Sequence, residues 1–93
     1  MPVWKPLALA DRKAIAKYIA RDNPLAAVEL VDFLIRQVSL LDANPKIGRP
    51  GRVENTREWV MHPNYVIVYL VDEGSMEPIV ILRVLHASQA WPA

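Results

Sequence analysis

Apolar positions recur about every three or four residues in the first half of the chain and then, past residue 56, run together or alternate. In residues 9–23, Ala10, Ala14, Ile15, Tyr18 and Ile19 share one helical stripe, with Arg12, Lys13, Lys17 and Arg21 mostly outside it. Asn23-Pro24 reads as a restart, because Asn caps a helix and Pro suits its first turn. Residues 24–43 then predict a second, longer helix. Val28, Val31, Leu34, Ile35, Val38 and Leu41 form its main stripe, while Phe33 and Leu40 fall away from it, beside Glu29 and Arg36. The short connection between the helices predicts an antiparallel hairpin.

Asn44-Pro45 ends the second helix. The stretch "NPKIGRPGRVENT" reads as loop, since "GRPG" continues neither helix nor strand. Three strands follow, at Thr56–His62, Tyr65–Val71 and Ile79–His86, and "PVWK" is a candidate edge strand. The second and third of these are apolar on both faces, so they belong in the middle of a sheet. The class is α+β: a helical hairpin on an antiparallel sheet of three to four strands, as one domain spanning residues 1–93.

The chain has 93 residues, 53% of them hydrophobic, and no cysteine, which fits a reducing cytoplasm and excludes disulfide or thiolate-metal support. No apolar run approaches the roughly 20 residues that cross a bilayer, and the N-terminus lacks the pattern of a signal peptide. Net charge is only +1. It is unevenly spread: Lys46, Arg49, Arg52 and Arg57 face only Glu54 in the middle of the chain, while Asp72, Glu73 and Glu77 form an acidic turn.

Arg83 and His86 interrupt the apolar run "PIVILRVLH". Strict alternation puts Val80, Leu82, Val84 and His86 on one face and Ile79, Ile81, Arg83 and Leu85 on the other. If Arg57 and Arg83 share a face, they form a basic patch beside "GRPGR", and paired guanidinium forks suit phosphate. The competing reading pairs Arg83 internally with Glu58 or with a helix carboxylate such as Asp32. His86 suits acid–base chemistry near neutral pH, or a structural hydrogen bond at a strand end. Trp59 and Trp91 could stack on bases or pack in core and interface. The histidines make no metal-binding pattern, and neither a nucleophile triad nor a phosphate-cradling loop is present.

"YIARDNPLAA", "GRPGRVENTREWV", "YVIVY" and "ILRVLHASQAWP", in that order, resemble the successive blocks of the RelE/ParE superfamily of bacterial type II toxins. The resemblance runs from about Trp4 to Pro92 and is strongest to the ParE/plasmid-stabilisation (RelE/StbE) branch. It implies two helices against a curved antiparallel sheet, a cytoplasmic toxin–antitoxin hetero-oligomer, and a cognate antitoxin that silences the toxin. Phe33 and Leu40, read as exposed, are the candidate antitoxin contacts. ParE-like members inhibit DNA gyrase by binding. For that activity the expected target-binding residues are Arg49, Arg52, Arg57, Arg83 and Trp91. RelE-like members cut mRNA on the ribosome without metal or other cofactor. For that alternative His86, Arg83 and Arg57 are the catalytic candidates. The chain has only four lysines, which favours the gyrase-binding reading over the nuclease.

Overall fold

Pro6 and Pro24 stand at the first turns of the two helices, where a missing N–H costs nothing. The computed structural model describes residues 2–89 and Trp91. Met1, Ala90, Pro92 and Ala93 lie outside the described residues, and with them the last proline of the terminal motif. Strand β1 (Val3–Trp4) leads into α1 (Pro6–Ala20) and α2 (Pro24–Ala43); β2 (Arg49–Pro50), β3 (Thr56–His62), β4 (Tyr65–Val71) and β5 (Ile79–His86) follow. Asn23 caps α2, its Oδ1 accepting the Ala26 N–H at 3.0 Å.

The sheet has five strands in the order β1-β5-β4-β3-β2, more than the three to four expected. β1 runs parallel to β5 and the other pairs are antiparallel, so the sheet is mixed. The extra strand, β2, lies inside the stretch read as loop, and Pro50 is tolerated there because β2 is an edge. The helices cover one face of the sheet. Leu34, Val38 and Leu41 of α2 and Ala8 of α1 meet Met61, Ile67, Tyr69, Ile79, Ile81 and Val84. Burying each of the larger of these side chains contributes about 1.5–3 kcal/mol relative to exposure. Trp59 joins this layer and donates its indole N–H to Gln37 Oε1 at 2.8 Å, fastening β3 to α2.

Both helices are rotated from the expected stripes. In α1 the inward positions are Ala8, Asp11, Ile15 and Ile19, while Tyr18, Ala10 and Ala14 are exposed. In α2, Val28 and Ile35 are 57% and 44% exposed, and Phe33 packs against the core. An acid at position 11 interrupts the apolar periodicity of α1, which hides its true inner face. Strand alternation also fails once in β5. Val68 pairs with Arg83 and the next residue, Tyr69, with Ile81, leaving Leu82 as a bulge. Beyond it Val84 turns to the core with Ile79 and Ile81, while Leu85 pairs with Val66 on the opposite, open face. No helix among the described residues is long and apolar enough to cross a membrane.

Candidate functional site

The basic loop after α2 is held by its backbone. Tyr69, at the centre of the sheet, donates its hydroxyl to the Pro45 carbonyl at 2.8 Å and accepts the Gly48 N–H at 2.9 Å. Burial pushes the Tyr69 hydroxyl above its ordinary pKa; the Gly48 N–H and the nearby Arg57 charge offset this in part. Arg57 lies on the same sheet face as Tyr69 and donates Nη1 to the carbonyls of Gly48 at 2.7 Å and Lys46 at 3.3 Å. Position 48 has no room for a side chain, because a Cβ there would stand 2.6 Å from the Tyr69 hydroxyl oxygen. Position 51 has none either, since a Cβ would meet the Thr56 Oγ1, which is itself committed to the Val53 carbonyl at 2.6 Å. Asn55 closes this turn in the left-handed region at φ 67°.

So fixed, the loop sets Arg49 and Arg52 over the open face. They border a cleft of about 110 Å³ with Glu58 of β3, His86, Gln89 and Trp91, above a floor of Val66, Val68 and Leu85. Arg49 Nε and Nη2 both donate to Glu58 Oε1, at 3.2 and 3.0 Å. No ion pair or hydrogen bond among the described residues engages Arg52. His86 closes β5 in a tight turn: its N–H donates to Gln89 Oε1 at 2.7 Å, and its Nδ1 accepts the Ser88 N–H at 3.2 Å and lies 2.7 Å from Ser88 Oγ. An imidazole whose Nδ1 accepts from the backbone carries its proton on Nε2 when neutral. Its ring also meets Tyr65 edge-on, with centroids 5.7 Å apart.

Arg49, Arg52, His86 and Trp91 are thus brought together, and Arg57 and Arg83 are not. The expected patch of Arg57 with Arg83 does not form. Arg57 is turned into the loop carbonyls. Arg83 makes a paired contact with Asp11 of α1, Nε to Oδ2 at 2.7 Å and Nη2 to Oδ1 at 2.9 Å. The internal partner is a helix carboxylate, but neither Asp32 nor Glu58. Asp11 raises the Arg83 pKa above its ordinary value and so holds the guanidinium charged. Sequence reading missed Asp11 and the role of Glu58. The available signal for Asp11 was its spacing, three after Ala8 and four before Ile15, on what proves to be the inner face. Phe33, expected outside, is half-buried; its edge lines a second cleft with Ile19, Leu30, His62 and Tyr65. Leu40 is exposed as expected.

This arrangement of helices, sheet and basic loop has known counterparts. A model of the ParE toxin of type II toxin-antitoxin systems matches residues 3–91. The chain belongs to the ParE toxin family. Its relatives include Y4kP of Sinorhizobium fredii, a protein named as a toxin, 37% identical over 89 residues that span 96% of this chain and 90% of the relative. Toxin RelE2 of Caulobacter vibrioides is 38% identical over 87 residues, 94% of each chain. Among solved structures, a chain of the chromosomal ParDE TA system from P. aeruginosa superposes with a TM-score of 0.78 at 27% identity, covering 91% of this chain and 92% of that one. In this ParE-family toxin the family match runs over residues 3–91, and the groove residues lie within that span.

Proposed function

We propose that this ParE-family toxin acts in the cytoplasm by binding and inhibiting DNA gyrase, and that a cognate antitoxin silences it in a hetero-oligomer. The supporting observation is the state of its cations. Metal-free phosphodiester cleavage needs several free cations around the phosphorane dianion and groups that move two protons. Here Arg83 is held by Asp11, Arg57 by two carbonyls and Arg49 by Glu58, leaving Arg52, among the described residues, as the unengaged guanidinium of the groove. Such a surface suits recognition of a protein better than cleavage of RNA. Arg49, Arg52 and Trp91 would contact the target directly, and Arg57 and Arg83 would position the elements that carry them.

The antitoxin would cover the flank of α2 that carries Phe33 and Leu40: Leu40 is exposed, and Phe33 is reached through the cleft beside Tyr65. The ribosome-dependent mRNA endonuclease is the second reading. It draws on His86 lining the same groove as Arg52.

Two assays separate them. Purified toxin added to gyrase should block supercoiling, and primer extension after brief induction should find no new mRNA ends. Codon-linked breaks that vanish in His86→Ala, with supercoiling untouched, would reverse the assignment.

A further inference from the structure

We infer that Glu58 is a built-in counter-anion that takes the Arg49 donors a phosphate would need and so disfavours nucleic-acid backbone on the open face. The Nε and Nη2 of Arg49 are the donor pair a phosphate oxygen would take, and both already point at Glu58 Oε1, at 3.2 and 3.0 Å. The two partners are not equally placed. The Glu58 side chain is 15% exposed and rises from β3 within the sheet, whereas that of Arg49 is 63% exposed on the edge strand. The acid is therefore the fixed member and the arginine the movable one. A phosphate could draw Arg49 away, but the carboxylate would stay in the cleft and repel it.

Among the described residues, Arg52 is the one other guanidinium that lines the groove. Arg57 and Arg83, which the sequence suggests as phosphate ligands, are turned to loop carbonyls and to Asp11. Among the described lining residues, two arginines against one glutamate leave a single uncompensated positive charge. Glu58 thus acts as a specificity residue: it keeps the arginines of this groove from competing for phosphates. The inference concerns the same groove as the proposed function but does not depend on which protein is the target.

The test is fluorescence anisotropy with a labelled single-stranded oligouridine, titrated with the full-length chain over a series of salt concentrations. Glu58→Gln keeps the shape and removes the charge. It should bind about tenfold more tightly than the parent, with a log–log salt slope steeper by about 0.7, the value for one added phosphate contact on a single strand. Glu58→Gln with Arg49→Gln should lose that gain. Glu54→Gln, the same charge change on an exposed turn, should not produce it. Urea midpoints establish that each variant is folded. No gain in Glu58→Gln, an equal gain in Glu54→Gln, or tight binding by the parent would each overturn the assignment. No gyrase is present, so this result and the supercoiling result are independent.

Discussion

Asp11 and Arg83 are 72 positions apart and meet in a two-point ion pair, while Asp11 Oδ2 also accepts the Val84 N–H at 2.9 Å. The contact does the work of a missing strand. Among the described residues β1 pairs with β5 at Val80 and Ile81, and the Lys5 N–H then bonds the Ile81 carbonyl at 3.0 Å. Beyond that point the outer edge of β5 would be open, and α1 supplies a carboxylate instead. The Gln89 side chain meets the next edge donor, the His86 N–H. An edge satisfied by side chains is a poor template for pairing with another chain.

Removing the carboxylate leaves a charged arginine and a backbone donor without partners. The two side chains are 23% and 16% exposed, so the cost should be lower than for a fully buried pair. Asp11→Ala is expected to lose about 2 kcal/mol by urea denaturation. The double variant with Arg83→Met should recover part of it. A midpoint within error of the parent would show that the pair contributes nothing.

The Tyr69 hydroxyl serves two backbone groups of the basic loop. Tyr69→Phe should cost about 1–3 kcal/mol, because the Gly48 N–H loses its acceptor in a buried position. Gly48→Ala should destabilise as well, since its Cβ would press on the same hydroxyl. The two changes should be partly non-additive in a double-mutant cycle, because removing the hydroxyl relieves the tightest contact while the Tyr69 Cε1 at 2.8 Å and the Glu58 carbonyl at 3.0 Å remain. Thermal unfolding of the three variants checks this.

Burial raises the Tyr69 pKa above the ordinary value of 10.0, so the folded state holds this proton more tightly than the unfolded chain. The resulting stability is fully present below the unfolded pKa and is lost as pH rises from there through the folded value. The parent should therefore lose more stability than Tyr69→Phe between about pH 10 and the folded pKa. Urea midpoints measured across that range give the difference, and parallel curves would contradict it.

Arg52 and Arg57 should separate recognition from architecture. Arg52 is exposed and unengaged among the described residues, so Arg52→Glu should leave stability within about 0.5 kcal/mol while weakening target inhibition at least about tenfold. Arg57→Ala should instead destabilise by about 1–2 kcal/mol, since two loop carbonyls lose a charged donor. It should also speed proteolysis within residues 45–52. Supercoiling and unfolding measurements on both variants check the contrast.

Much of the architecture is legible in local pattern. Asn23-Pro24 marks the helix restart because capping and φ restriction are local effects. The spans of β3, β4 and β5 agree with their apolar runs because alternation and turn residues act over a few positions. Local pattern fails where a long-range partner changes what a position means. Asp11 has no assigned role in the α1 pattern until Arg83 is known to face it. Phe33 reads as exposed until the folded core gives it a layer to pack against.

The amino-acid sequence by itself determined the class of fold, the order of its elements, the basic loop and the family resemblance. These follow from spacing, caps and breakers that act between near neighbours. Tertiary structure alone decided which arginines stay available. The bulge at Leu82 reverses the faces of β5, and the pairing of β2 with β3 sets Arg49 against Glu58. A guanidinium is free or engaged according to which acceptor the folded chain brings within about 3 Å, and that acceptor can lie anywhere in the sequence.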